Sequence, residues 1–167
     1  MPRMLRERGL SLRSEAASDQ QFLRRLYLSV RWQEFAATQW PDAVKQSFLA
    51  SQFQIQTQQY QANYPTMARW IMEHTGEPMG RLYLHVPESE MRIVEISLLP
   101  EWRAQGIGGA LLREVCGEAD ARRVPLSLHV ERTNPAQRLY RRLGFEGSDL
   151  GDVYLHMERK VIFAAKR

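Results

Sequence analysis

The sequence predicts one α+β domain over residues 1–167, with a mixed, mostly antiparallel sheet of about seven strands flanked by about four helices. The length of 167 residues is that of one ordinary domain. Hydrophobic residues make up 44% of the chain and charged residues 25%, as is typical of globular proteins. Hydrophobic periodicity changes along the chain in the order β-α-α-β-β-β-α-β-α-β-β. We therefore expect a single core around one sheet.

The first third of the chain predicts one strand and two helices. An alternating segment at 10–13 predicts the strand, and Ser18-Asp19 supplies an N-cap for an amphipathic helix to about residue 30. A Pro-Asp pair at 41–42 opens a second, glutamine-rich helix that runs to about residue 61. Its glutamine-rich surface is either a solvated helix face or, together with Tyr60 and Tyr64, part of an acceptor pocket.

The rest of the chain predicts six strands and two helices. Three strand segments at 67–74, 79–86 and 91–99, joined by short turns, predict consecutive antiparallel strands. The later elements are a helix over 106–123, a strand over 125–130, a short helix over 135–143 ended by Gly144, and strands over 145–150 and 153–158.

Composition narrows the class of protein. The net charge is +4, but the basic residues are dispersed, so we expect no nucleic-acid partner. No apolar run approaches the roughly 20 residues that span a bilayer, and no apolar core follows the basic N-terminus, so we expect a cytoplasmic protein without membrane association. The single cysteine, Cys116, excludes an internal disulfide, and the histidines lack ligand spacing, so we expect no metal.

A glycine-rich turn after the strand at 91–99 is the segment most informative about function. Gly106, Gly108 and Gly109 lie between this strand and the first turn of a helix. Backbone N–H groups at a helix N-terminus bind phosphate, and glycines let the phosphate approach them. The Rossmann pattern fails because Leu111 occupies its third glycine position, and no Walker sequence follows. A glycine-rich helix start that binds nothing is the alternative for this segment alone.

A second segment adds a specific resemblance. Asn134 follows a strand, Tyr140 lies within a short helix, and a Gly-Phe pair then restarts a strand. Together with Arg103-x-x-Gly106-x-Gly108, about 30 residues earlier, this arrangement resembles the GNAT superfamily of acyl-CoA-dependent N-acyltransferases. The order of elements from residue 10 to residue 158 is similar to that of the family. The resemblance therefore covers nearly the whole chain and implies a GNAT-like domain.

The resemblance implies how acetyl-CoA, the co-substrate, is held. The glycine-rich loop binds the CoA pyrophosphate on its backbone amides, and the preceding strand pairs through its backbone with the pantetheine arm. Asn134 matches an asparagine that contacts the cofactor in several members, although its spacing to the tyrosine is six residues, one fewer than in many members. The implied cofactor-binding residues are Ile96, Ser97, Leu98, Arg103, Ala104, Gln105, Gly106, Ile107, Gly108, Gly109 and Asn134.

The resemblance also implies the acid of the reaction. Tyr140 matches the tyrosine that protonates the departing CoA thiolate; the alternative is a core aromatic residue. Acyl transfer to an amine also needs a donor that polarises the carbonyl and a base that deprotonates the amine. We expect the Leu98 N–H to be that donor.

Two residues are candidates for the base. Glu95 shares a strand face with Ser97, opposite the face of Ile96, where it projects toward a cleft; the alternative is a solvated or salt-bridged carboxylate. His129 lies where some ribosomal-protein acetyltransferases of the family carry a glutamate base, and histidine titrates in a useful range. The alternative for His129 is a hydrogen-bonded core histidine.

We therefore expect an N-acetyltransferase that moves an acetyl group from acetyl-CoA to a primary amine by direct attack in a ternary complex, without an acyl-enzyme. The acceptor stays open among a small amine, an amino acid and a peptide N-terminus. Dimers are common in the family, so the resemblance also makes a homodimer one of the expected assemblies. The alternative function is a non-catalytic acyl-CoA-binding or regulatory module with the same fold. Candidate acceptor-site residues are Arg31, Trp32, Glu34, Trp40, Tyr60 and Tyr64.

Overall fold

The computed structural model describes residues 9–149 and 151–162, so the basic N-terminal segment and Leu150 lie outside the described residues. Short 3₁₀ turns at Ala17–Asp19, Trp32–Phe35 and Pro100–Trp102 accompany the main elements. The main elements are β1 (Leu10–Ser14), α1 (Gln20–Arg31), α2 (Asp42–Asn63), β2 (Ala68–His74), β3 (Glu77–His85), β4 (Met91–Leu98), α3 (Ile107–Arg122), β5 (Leu126–Glu131), α4 (Gln137–Arg142), β6 (Glu146–Asp149) and β7 (Tyr154–Arg159).

The strands form one sheet in the order β1-β2-β3-β4-β5-β7-β6. Each neighbouring pair is antiparallel except β4 and β5, which are parallel and connected through α3. A parallel pair needs such a crossover because the chain must return to the same end of the sheet. The prediction of a mixed, mostly antiparallel sheet of seven strands flanked by four helices is confirmed.

Apolar side chains cover both faces of the sheet. Ile71 belongs to a buried cluster with α1 and α2, whereas its neighbour Met72 belongs to a larger cluster with α3 and α4. Successive strand residues point to opposite faces, so the two clusters lie on opposite sides of the sheet. On α1 the buried residues are spaced three and four apart, as in Leu23, Leu26 and Tyr27, which fixes the helix face that packs on the sheet. The result is three layers, with the sheet in the middle.

Two local predictions need correction. The turn between β2 and β3 is Thr75-Gly76 alone, both with positive φ, rather than the four residues 75–78. A two-residue turn of this kind matches the twist of the strands that it joins. Asp19 stands at the N-cap of α1 but makes no side-chain cap there. Its carboxylate instead accepts the Ala16 N–H at 2.7 Å and pairs with both terminal nitrogens of Arg13.

A buried arginine ties the short helix α4 to the rest of the fold. Arg159 on β7, 6% exposed, donates from Nε to the Leu143 carbonyl at the end of α4 (3.0 Å) and from both terminal nitrogens to Asp120 on α3 (2.8 Å each). The Arg159 hydrogen bonds are the main reason that the pKa of Asp120 is lowered from its ordinary value of 3.8. The bridge holds α3, α4 and β7 together.

The Asp120→Asn variant is expected to lower the free energy of unfolding by about 3 kcal/mol at neutral pH, because it leaves the Arg159 charge buried without its partner. Urea unfolding measures the change. Since folding lowers the pKa of Asp120, the wild-type advantage is fully present above pH 3.8 and disappears as the pH falls through the folded-state value. Glu118→Gln is the control: it breaks the exposed Arg122 pair on the same helix and costs below about 1 kcal/mol. Equal losses in the two variants would contradict the assigned role.

A search of the described helices finds no segment long and apolar enough to cross a membrane.

Candidate active site

The sheet opens between β4 and β5. The two strands pair at only three positions, of which Ile93–Leu128 is the last. Opposite β3, Tyr83 faces Glu95 and Leu84 faces Ile93, so Val94 is the extra residue of a β-bulge. A bulge bends its strand and ends regular pairing. Residues 94–98 of β4 and 129–131 of β5 therefore border a cleft, which we call the β4–β5 gap.

The edge of β4 in this gap carries free backbone groups. The Leu99 N–H donates to the Met79 carbonyl on β3 at 2.9 Å. Backbone groups of successive strand residues point to alternate edges, so the Leu98 N–H points away from β3 and into the gap, as does that of Ile96. The side chains of Ile96 and Leu98 pack on the α3 cluster. Ser97 lies opposite Arg81, and its hydroxyl is buried without a hydrogen-bond partner among the described residues.

The glycine-rich loop brings backbone donors to the same end of β4. Ala104 and Gly106 both have positive φ, and Gly106 is the N-cap of α3. The first hydrogen bond of α3 runs from the Ala110 N–H to the Gly106 carbonyl at 3.0 Å. The N–H groups of Ile107, Gly108 and Gly109 lie ahead of this bond, at the positive end of the helix dipole.

Space for a ligand lies directly over these donors. A Cβ added to Gly106 or Gly108 meets no atom within 4 Å, whereas one added to Gly109 lies 3.5 Å from the Leu139 side chain. Glycine at 106 is required by its positive φ. Gly108 has no such conformational reason and no neighbour to avoid, so its small size instead keeps the helix N-terminus uncovered.

Two side chains brace the loop from outside. Arg103 Nε donates to the Leu98 carbonyl at 2.9 Å, and Gln105 Nε2 donates to the Glu101 carbonyl at 2.6 Å. The Arg103 contact keeps a positive charge beside the helix N-terminus and links the loop to the last residue of β4. The loop and the strand edge thus form one continuous surface.

Tyr140 lies on α4, across the gap from β4. It is 7% exposed and packs edge-on against Phe145, with ring centroids 5.8 Å apart. Burial, and then the charge of Glu95, raises the pKa of Tyr140 to about 12. Among the described residues no side chain pairs with its hydroxyl. At neutral pH the Tyr140 phenol is therefore protonated, and its hydroxyl is available to donate a hydrogen bond or a proton to a ligand.

Glu95 is bound on one side. The Tyr60 hydroxyl donates to Glu95 Oε2 at 3.1 Å, and Arg81 Nη2 lies 3.2 Å from the same oxygen. The Glu95 side chain is 19% exposed to solvent, whereas that of Arg81 is 4% exposed. The negative charge of Glu95 contributes to the raised pKa of Tyr140, so the two groups lie within electrostatic range of each other. The structure thus brings the predicted acid and the first candidate base together, with the base in a salt bridge.

His129 stands on β5, one residue past the last β4–β5 pair, and is exposed rather than a core histidine. Its ring lies 5.4 Å from that of His156 on β7. Partial desolvation, and then the charges of Arg92 and His156, lower the pKa of His129, so the ring is neutral at physiological pH. No described contact joins it to Glu95 or Tyr140. His129 therefore lies on the β5 side of the gap, opposite β4.

Asn134 begins the connection to α4. Its Oδ1 accepts the Ala136 N–H at 2.9 Å, which makes the first turn an Asx-type turn. Regular helix consequently starts at Gln137 rather than at the predicted 135, and ends at Arg142. The asparagine orients the segment that carries Tyr140.

Arg81 and Gln56 are site residues that the sequence analysis missed. Arg81 Nη2 donates to Gln56 Oε1 at 3.0 Å on α2, besides contacting Glu95. The available signal was an arginine inside the otherwise apolar segment of β3, facing a strand with a central glutamate. Within the described ranges no three His, Cys, Asp or Glu side chains are grouped to hold a metal ion.

Solved structures of known proteins share this fold. The PaiA N-acetyltransferase of Thermoplasma acidophilum, in complex with coenzyme A, has a TM-score of 0.68 at 18% identity, covering 90% of this chain and 98% of that one. The ribosomal-protein-S18-alanine N-acetyltransferase of Escherichia coli has a TM-score of 0.59 at 20% identity, covering 94% and 97%. The architecture around the β4–β5 gap therefore belongs to a fold found in both enzymes.

Sequence comparison identifies the family. A Bacillus subtilis (strain 168) protein, provisionally named ribosomal protein bS18-alanine N-acetyltransferase, is 34% identical over 79 residues, which cover 46% of this chain and 52% of the relative. The match thus spans about half the length of that relative. The model of the acetyltransferase (GNAT) family matches residues 29–145 of the 167. The chain therefore belongs to the GNAT acetyltransferase family.

Proposed function

We propose that the protein transfers the acetyl group of acetyl-CoA to a primary amine by direct attack within a ternary complex. The observation that carries this proposal is the convergence of three groups at the β4–β5 gap: the uncovered N-terminus of α3, the free edge of β4, and the Tyr140–Glu95 pair. Together they supply an anion site, a carbonyl donor, an acid and a base. Cys116, 5% exposed and with its pKa raised by burial, is unsuited to an acyl-enzyme route.

The residues of the gap fit acetyl-CoA, which supplies the acetyl group as a reactive thioester. The N–H groups of residues 104–109 would hold the pyrophosphate, because Gly106 and Gly108 leave them uncovered. The edge of β4 at Ile96 and Leu98, with Ser97 between them, would pair with the pantetheine arm. Asn134 would contact the cofactor from the far side of the gap. The Leu98 N–H would polarise the thioester carbonyl.

The proton transfers follow from the two titratable groups. Glu95 takes a proton from the acceptor ammonium, which frees the nitrogen lone pair to attack the carbonyl carbon. The C–N bond forms, the C–S bond breaks, and Tyr140 gives its proton to the departing sulfur. A pKa of about 12 keeps Tyr140 protonated until that step. The second proton that the nitrogen loses as it becomes an amide restores the Tyr140 phenol, and Glu95 releases its proton to solvent. His129, neutral and at the gap, is the second candidate base.

We propose a peptide N-terminus as the acceptor. The B. subtilis relative and the E. coli structure are both named as alanine N-acetyltransferases that act on a ribosomal protein, bS18 or S18. In this chain, Arg31 Nη1 bridges Glu34 and Glu131 at 2.9 Å each, which fixes the connection between α1 and α2 against the end of β5. Trp32 and Trp40, two of the candidate residues of the acceptor site, lie near the two ends of that connection. A ribosomal acceptor agrees with the predicted cytoplasmic location; the homodimer stays a prediction.

A matched panel of amines tests the acceptor class. A short peptide that begins with alanine is expected to gain one acetyl group at its α-amine, as located by tandem mass spectrometry. The same peptide with a blocked N-terminus and an internal lysine, and a free polyamine, are expected to react at least about 10-fold more slowly. Preferential acetylation of the lysine or of the polyamine would overturn the peptide N-terminus as acceptor while keeping the transferase activity.

A further inference from the structure

We propose that Arg81 and Tyr60 are positioning residues, which fix Oε2 of Glu95 and leave Oε1 as the oxygen that takes the proton from the amine. This inference rests on the proposed function, in which Glu95 is the base. It adds two residues to the reaction and assigns the proton to one carboxylate oxygen.

The two contacts fall on the same oxygen. Tyr60 and Arg81 approach Glu95 Oε2 from different elements, α2 and β3, at 3.1 and 3.2 Å. Oε1 accepts no hydrogen bond from the described residues, and it is not among their enclosed, unpartnered polar atoms. Each oxygen of a carboxylate can accept hydrogen bonds. The carboxylate is therefore held at one end and available at the other.

Arg81 is itself held in place by burial and by contacts with residues other than Glu95. It is 3% exposed, its Nη2 also donates to Gln56 at 3.0 Å, and its guanidinium lies 5.1 Å from the centroid of the Tyr83 ring. A buried guanidinium stays charged, and that charge must be paired to offset its desolvation. Glu95 provides the pairing charge, so the ion pair holds one end of the Glu95 carboxylate against β3.

Four of the titratable groups near Glu95 are tyrosines. Tyr27 on α1, Tyr60 on α2, Tyr83 on β3 and Tyr140 on α4 all have raised pKa values, because each is buried. They remain neutral from acidic pH to beyond pH 9. Tyr60 is therefore a neutral hydrogen-bond donor to Glu95 over this range, and Arg81 is the cation that contacts the same carboxylate.

The test compares kcat and KM for the wild type, Tyr60→Phe and Arg81→Lys, with acetyl-CoA and the alanine peptide. Without the Tyr60 hydrogen bond, kcat is expected to fall about 10-fold with little change in KM, because the carboxylate loses one of the two contacts that orient its free oxygen toward the amine. Arg81→Lys is expected to lower kcat about 10-fold with little change in KM for acetyl-CoA, since the compact ammonium of lysine lacks the planar guanidinium that contacts Glu95 and Gln56 and lies against the Tyr83 ring.

Tyr27→Phe is the matched control, because it removes a tyrosine hydroxyl from the same helical layer, and no hydrogen bond or ion pair of the described residues joins Tyr27 to Glu95. It is expected to leave kcat unchanged, and thermal unfolding confirms that each variant is folded. Unchanged kcat in folded Tyr60→Phe and Arg81→Lys would overturn the proposal. So would full activity of Glu95→Gln, which would move the base to His129. An inactive wild type that binds acetyl-CoA would instead refute the proposed function itself.

Discussion

Replacement of Tyr140 by phenylalanine is expected to lower kcat about 1000-fold, within the range of general acid catalysis, and to leave acetyl-CoA affinity unchanged. The phenol hydroxyl has no partner among the described residues, so its removal breaks no structural hydrogen bond. The ring keeps its packing against Phe145. The loss would therefore report the missing proton donor. Steady-state kinetics and calorimetric titration with acetyl-CoA separate the two quantities.

Tyr27→Phe again serves as the control, since Tyr27 is a buried tyrosine that no hydrogen bond or ion pair of the described residues joins to Tyr140 or Glu95. Because the pKa of Tyr140 is raised to about 12, the wild-type rate is also expected to show no loss of its acid below pH 10. Unchanged turnover in Tyr140→Phe would remove the tyrosine from the mechanism. A fall in the wild-type rate above about pH 8 would instead indicate that another group is the general acid.

Replacement of Gly108 by leucine is expected to weaken acetyl-CoA binding at least about 100-fold while the fold remains intact. A Cβ at this position meets no protein atom within 4 Å, and the backbone is helical, so the side chain is sterically accepted. Leucine is also a better helix former than glycine by up to about 1 kcal/mol. The added side chain would instead occupy the space over the N–H groups that we propose as the pyrophosphate site. Calorimetry measures the affinity, and urea unfolding measures the stability.

Gly117→Leu is the control for this change. Gly117 lies on the same helix, and a Cβ there also meets nothing within 4 Å, but it is far from the helix N-terminus. Both variants are expected to be at least as stable as the wild type, and only the Gly108 variant to lose binding. Retained affinity in Gly108→Leu would show that the pyrophosphate does not sit over this turn.

The fold was predictable because most of its signals are local. The periodicity of the strands and helices, Gly106 at the start of α3 and Gly144 after α4 specify element order without knowledge of the partners. The glycine-rich loop and Tyr140 could be singled out as site candidates for the same reason, since each lies in a short contiguous motif. The Asp19 cap was wrong because Arg13, on another element, competes for its carboxylate.

The rest of the site depends on pairing between distant segments. The bulge at Val94 arises from the register of β3 against β4, which strand propensity alone does not determine. The salt bridge of Glu95 joins it to Arg81, and its hydrogen bond comes from Tyr60, 35 residues earlier. Alternation placed Glu95 on the correct face but carried no information about its partners.

The measurement that tests the central claim most directly is intact-mass spectrometry of the protein after incubation with acetyl-CoA, followed by addition of the alanine peptide. Direct transfer predicts an unmodified protein in the first step and an acetylated peptide in the second. An acetyl group on the protein, at Cys116 or elsewhere, that then passes to the peptide would contradict direct attack. Absence of peptide acetylation by protein that binds acetyl-CoA would contradict the assigned reaction.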